Sequence, residues 1–255
     1  MNAEIGILWP ALAAGLLVVA THVPLGIRVL ERGIVFIDLA VAQIAALGVI
    51  LASWMSFAPE GAAVQAAALG AALAGALALN WTERLWPEVQ EAVIGVAFIL
   101  AANAGILLLA ANPHGAEHLK ELLTGQILWV PPARLPLAAL VSAAILALWF
   151  GLRARLGRLG FYVLFAVAVT LSVQLVGVYL VFATLIIPAL ATRSLRRGRL
   201  AAAYALAAAG YVAGLALSLF SDLPAGPLLV CVLGLFGVCL VGFGGRKAIT
   251  GNPPG

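Results

Sequence analysis

The chain has 255 residues, 64% of them hydrophobic and 9% charged, with a mean hydropathy of +1.14. A water-soluble domain carries about a quarter charged residues, so the composition defines an all-α polytopic membrane protein and excludes a soluble enzyme. The apolar runs are continuous rather than alternating, which excludes a transmembrane β-barrel; the net charge of +4 lies in short loops, not in a nucleic-acid-binding patch.

A span of hydrocarbon needs roughly 20 apolar residues. The first such run covers residues 5–27, with Pro10 and Pro24 inside it. It follows Glu4 rather than a basic segment, so no cleavable leader is expected. His22 lies in this run, in Thr21-His22-Val23-Pro24. A buried histidine is commonly a hydrogen-bonded packing residue, but a neutral imidazole beside a carboxylate also suits a first-row divalent metal. Pro24 is expected to free backbone carbonyls beside it.

The second run covers residues 34–57 and contains Asp38 near its start. From Gly33 to Pro59, Asp38 is the only ionisable side chain. A carboxylate inside a span costs several kcal/mol unless paired, hydrated or bound to a cation. Asp38 fits two roles. It can be a helix-start carboxylate paired with Arg28 or Arg32, or it can line a cation path. Gln43, offset by about 140° around the helix, can border the same cavity. The first two spans are expected to be antiparallel neighbours, which lets His22 reach the depth of Asp38.

The third run, residues 62–80, carries two small-residue stripes at spacing four, Ala67-Ala71-Gly75 and Ala66-Gly70-Ala74. Such stripes allow close helix approach and predict a helix interior to a bundle. The fourth and fifth runs cover residues 92–111 and 135–152. Asn103 and Gln174 are mid-span amides suited to packing or to hydrogen bonds between helices. Between runs four and five, His114 and His118 lie four apart; this is metal-competent spacing on a helix, but Pro113 and Gly115 favour an exposed loop.

Residues 161–192 form a stretch of about 48 Å as helix, too long for one span. It is expected to break near Gly177 or Pro188 into a helix pair, or a helix plus a re-entrant piece. Runs 200–220 and 227–243 follow, separated by a turn containing Asp222. Cys231 and Cys239 share a face about 12 Å apart along the axis, too far for a disulfide, and read as small packing residues. Arginine clusters follow the first run (Arg28, Arg32), the fifth (Arg153, Arg155, Arg158), the long stretch (Arg193, Arg196, Arg197, Arg199) and the last (Arg246, with Lys247). All fall on one side, the cytoplasmic one, if the long stretch crosses twice. That gives nine crossings, or eight with one re-entrant segment. Residues 1–255 form one transmembrane domain, and no G-x-x-x-x-G-K-[ST] motif is present to bind nucleotide.

Five collinear segments resemble the permease subunit of the ABC-type zinc and manganese importers, the ABC-3 family. They are Gly33 to Gly48, Glu91 to Phe98, Glu117 to Leu128 with Gly125-Gln-Ile-Leu, Gln174 to Arg193 with its Val-Gly and Pro-Ala elements, and Ser221 to Gly226. The resemblance implies a fold similar to vitamin-B12 importer permeases, in a bacterial inner membrane. It also implies a second copy of the chain, a cytoplasmic ATP-binding subunit and an extracytoplasmic metal-binding protein as partners. The chain itself would bind no cofactor; zinc, manganese or iron would be cargo. In the family an acidic residue on the second span is followed four positions later by histidine. Here Ala42 follows Asp38 at that spacing, and Gln43 comes next; aligned on Gly48, Gln43 takes the histidine position and Leu39 the acidic one. Asp38 and Gln43 are therefore the expected cargo contacts, with His22 supplying the missing imidazole. The segment 152–160 is shorter and more basic than the family's, so Glu88, Glu91 and the Arg193–Arg199 cluster are further candidates for touching the ATPase. A permease for a metal chelate or another small solute, and a carrier or scaffold without an ATPase, are the alternatives.

Overall fold

The computed structural model describes residues 2–55, 61–109, 125, 127–152, 155–221 and 223–249, with side chains described for 8–53, 55, 61–109, 125, 127–152, 155–221 and 223–242. These residues form nine α-helices and no strand. They are α1 (Asn2–Arg32), α2 (Ile37–Trp54), α3 (Ala62–Leu85), α4 (Gln90–Leu109), α5 (Leu135–Leu152), α6 (Gly157–Val176), α7 (Val178–Ala191), α8 (Arg199–Leu219) and α9 (Ala225–Ile249). Seven contain segments long and apolar enough to cross a membrane; Ile37–Ser53 and Val178–Ala191 are shorter apolar helices. The 14 residues of α7 rise about 21 Å, less than a hydrocarbon core of about 30 Å.

Charge pairs at one end orient the bundle. Glu31 at the end of α1 meets Arg28 at 3.4 Å and Arg199 at the start of α8 at 3.2 Å. Arg158 at the start of α6 meets Glu83 at the end of α3 at 3.6 Å. The arginines after the first run, the fifth run and the long stretch thus share one end, as the positive-inside rule requires. Because α6 starts and α7 ends there, the chain goes out through α6 and returns through α7.

The reversal is at Gly177, with φ +83°, a backbone conformation that a side chain disfavours. Pro188 does not break the chain but lies within α7. Gly125, with φ +64°, abuts the Val176–Gly177 backbone so closely that an added methyl would overlap it. Two motif glycines remote in sequence therefore meet at the reversal.

The most buried helices include α1 and α6, each two-thirds buried across its span, and the short α7, most of whose residues are buried. α1 packs against α7, α8 and α5, whereas α2 packs against α3 and α4; α1 and α2 scarcely touch. The expectation that α1 and α2 are packed neighbours is therefore wrong: adjacency along the chain does not carry into the bundle. α3 is only 28% buried, which corrects its expected interior placement. Its Ala67-Ala71-Gly75 stripe does meet α2, at Gly48 and Ile44, while Ala66, Gly70 and Ala74 face outward. Cys231 and Cys239 are free, as expected, but exposed rather than packed inside. Asn103 donates to Ile99 O of its own helix at 2.8 Å instead of bridging helices.

α1 passes through Pro24 without ending. Proline has no N–H to give the carbonyl four residues back, here Ala20. That carbonyl accepts instead from the Tyr204 hydroxyl of α8 at 2.8 Å. Tyr204→Phe leaves it without a partner and is expected to cost about 1–3 kcal/mol, read as a lowered unfolding temperature with the helix content unchanged.

Candidate functional site

α2 begins after a turn over Gly33–Phe36, with Phe36 as the cap residue and no side-chain cap of its own. Asp38 is the second residue of this helix, where the backbone N–H groups lack intrahelical acceptors and a negative charge is favoured. Its side chain is fully buried, and neither carboxylate oxygen has a hydrogen-bond partner. The pairing with Arg28 or Arg32 is not formed. Arg28 is held by Glu31, and the Arg32 guanidinium lies 4.5 Å over the Phe161 ring. Asp38 is thus a buried acid with its charge uncompensated by a cation, one turn from the arginine-bearing end.

Gln43 is buried further along α2, on a different stripe from Asp38 as its spacing requires. His22 is fully buried, with Nδ1 3.0 Å from Thr21 Oγ1 and 3.2 Å from Val18 O, and with Nε2 unpartnered. It shares a face of α1 with Gly15 and Gly26, at spacings of seven and four. Gly15 meets the Tyr211 ring of α8, and Gly26 meets the Leu185 backbone of α7. His22 therefore faces α7 and α8, not α2. Its depth also differs from that of Asp38. α1 runs on to Arg32, which puts His22 about 15 Å from its end, while Asp38 is about 2 Å from the start of α2. Among the described residues no three His, Cys, Asp or Glu side chains are grouped to hold a metal. His114, His118 and Asp222 lie outside the described residues, and Gln174 is half-buried on α6.

Two residues at the start of α4 take roles that their sequence setting concealed. Glu91, at the start of α4, accepts from the Phe36 N–H at 3.2 Å, with the Val35 N–H also within its reach. It thereby caps the entry to α2 from another helix. Gln90 donates to Leu79 O at 2.9 Å and to the Tyr162 hydroxyl at 3.3 Å, and accepts from Thr82 at 3.1 Å, tying α3, α4 and α6 together. The only sequence signal was a pair of polar residues opening an otherwise apolar run. Glu91→Ala removes the acceptor of an exposed Phe36 N–H and is expected to cost about 0.5–1.5 kcal/mol. Glu91→Gln keeps an acceptor and should lose less than half of that; thermal unfolding of the two variants separates them.

A second polar layer lies deeper. The Thr184 hydroxyl of α7 is 2.8 Å from the Tyr211 hydroxyl of α8 and donates to Leu180 O at 2.7 Å. This layer sits on the side of α1 that carries His22.

A bundle of apolar helices, most of whose charged residues gather at one end, defines a multi-pass membrane protein. Solved structures share the fold. PsaBC from Streptococcus pneumoniae in complex with Fab is 19% identical with a TM-score of 0.72, over 92% of this chain and 90% of that one. A structure described as an inward-facing conformation of a metal-chelate type ABC transporter is 18% identical with a TM-score of 0.65, over 94% and 85%. No curated protein matches in sequence. The family model of the ABC 3 transport family matches residues 4–156 and 146–243, and the chain belongs to that family. It is the membrane-spanning permease of an ABC transporter, a type of subunit that leaves ATP hydrolysis to a separate one and works with a substrate-binding protein.

Proposed function

We propose that the chain forms, as a homodimer in a bacterial inner membrane, the pathway of an ATP-driven importer of a divalent metal: zinc, manganese or iron. The observation that carries this is Asp38, a fully buried carboxylate with both oxygens unpartnered. A site with one carboxylate and the Gln43 amide nearby on the same helix is weak and hard in character. Weakness suits a pathway, because a transporter must release what it binds. At the arginine-bearing end of α2, Asp38 would be a late contact before release to the cytoplasm. ATP binding and hydrolysis on the partner subunits would switch the pathway between outward-open and inward-open.

The absence of histidine four residues after Asp38 favours one second reading, a metal already chelated when it crosses. Uptake into vesicles carrying the complex of permease, ATPase and binding protein distinguishes the two. The bare ion should enter only with ATP, and its preformed chelate should not enter. Entry of the chelate alone would transfer the proposal to the second reading.

His22 is proposed as a separate contact on the α7 and α8 side rather than a co-ligand of Asp38. The losses in uptake caused by His22→Ala and Asp38→Asn should then multiply in the double variant, within about 0.5 kcal/mol. A larger coupling would place both on one cation.

A further inference from the structure

The span containing α4 is the least buried of the seven, at 22%. Its inner face packs on α2, where Gly105 meets Ile50. Its outer face is ordered. Ala92, Val96, Ile99, Asn103 and Ile106 are all exposed and follow one another at alternating spacings of four and three. A period of about 3.5 residues is the seam by which one helix packs along another. Asn103 stands about 16 Å past Ala92, in the middle of a hydrocarbon core of about 30 Å. Its Nδ2 donates to Ile99 O, a carbonyl of its own helix. Its Oδ1 and second N–H have no partner among the described residues. Lipid tails would cover Ile99 and Ile106 but offer the amide neither donor nor acceptor.

We propose that this face of α4 packs against α4 of a second copy about a two-fold axis normal to the membrane, with the two Asn103 amides hydrogen-bonded to each other. The inference rests on the homodimer proposed above and names its contact. Complementarity selects a second copy as the occupant. An amide is its own complement: Oδ1 of each accepts from Nδ2 of the other. On a two-fold axis a residue meets its own counterpart, so one asparagine in each chain satisfies both. The rest of the seam is uncharged and apolar, so doubling it brings no like charges together. A single asparagine in such a seam fixes the register of the helices, and amides hydrogen-bonded across helices hold spans together in lipid.

The test uses the full chain in its complex with the ATP-binding subunit, with Cys231→Ala and Cys239→Ala to remove the native thiols. Ile99→Cys and Ile106→Cys are made singly on the seam, and Leu140→Cys on the exposed face of α5 as the control. All three positions are exposed, so the substitutions should spare the fold. Oxidation in membranes should join two permease chains through Ile99→Cys and through Ile106→Cys, because residues beside the axis come within the roughly 7 Å between Cα atoms that a disulfide spans. Leu140→Cys should not cross-link. In detergent, Asn103→Val should weaken self-association of the full chain roughly tenfold by analytical ultracentrifugation, and Asn103→Gln should keep most of it. A complex with two permease chains by native mass spectrometry, but no seam cross-links or cross-links through Leu140→Cys alone, leaves the homodimer standing and overturns this contact. A complex with one permease chain overturns the homodimer and the contact with it. Labelling of Asn103→Cys by a membrane-impermeant maleimide, without seam cross-linking, makes the face a water-lined wall and equally overturns the contact. Should Asn103→Val not fold, the cross-links decide.

Discussion

Gly26→Ala is expected to disrupt folding although it replaces a poor helix former by the best one. In an exposed helix interior the change gains about 1 kcal/mol. Gly26, however, lies where α1 crosses α7, and a methyl group there would overlap the backbone carbonyl of Leu185. A backbone atom cannot rotate away as a side-chain tip can, so the helices must separate. Overpacking of this kind costs about 1–3 kcal/mol or more, and the propensity gain is the smaller quantity. Because α1 is among the most buried helices, separation would also disturb its contacts with α8 and α5. Gly95→Ala is the control. Nothing lies within 4 Å of an added methyl there, and that variant should be as stable as wild type or more so. Thermal unfolding and folded yield should rank Gly95→Ala, wild type and Gly26→Ala in that order; equal stability of the two variants would contradict the helix crossing.

Asp38→Asn should separate stability from function. The wild-type carboxylate is fully buried and unpartnered, so it destabilises the empty permease. Asparagine keeps the shape and removes the charge. Within a membrane span the relief should be about 1–3 kcal/mol, or a rise of several degrees at roughly 2–4 °C per kcal/mol. The same change removes the negative charge proposed to meet the cargo, so uptake should fall while the fold becomes more stable. A functional residue that costs stability is a recurrent trade-off. A lowered unfolding temperature would mean that Asp38 has a stabilising partner.

The span pattern was legible because length and hydropathy are local properties. So was the common side of the arginine clusters: Glu31 joins the first to the third, and Arg28 and Arg158 of the first and second line one cavity. Gly177 and Pro188 looked equally able to interrupt residues 161–192. The positive φ at Gly177 makes the reversal, whereas Pro188 is accommodated inside α7. Helix neighbours were not legible. The apolar faces of α1 and α2 carry no mark of their partners, and the expected His22–Asp38 pairing followed from chain adjacency that the bundle does not keep. Tyr204 and Glu91 were hidden for a related reason: each satisfies a backbone group on a helix remote in sequence. Pro24 signalled that a carbonyl needed a donor, but not that α8 would supply it.

The most direct test of the transport role is the initial rate of ATP-dependent divalent-metal uptake by vesicles containing the complete complex, with wild type and Asp38→Asn at equal content. The account predicts uptake by wild type and a fall of at least roughly tenfold, about 1.4 kcal/mol in the barrier, in Asp38→Asn with the ATPase subunit still bound. Equal rates would contradict it.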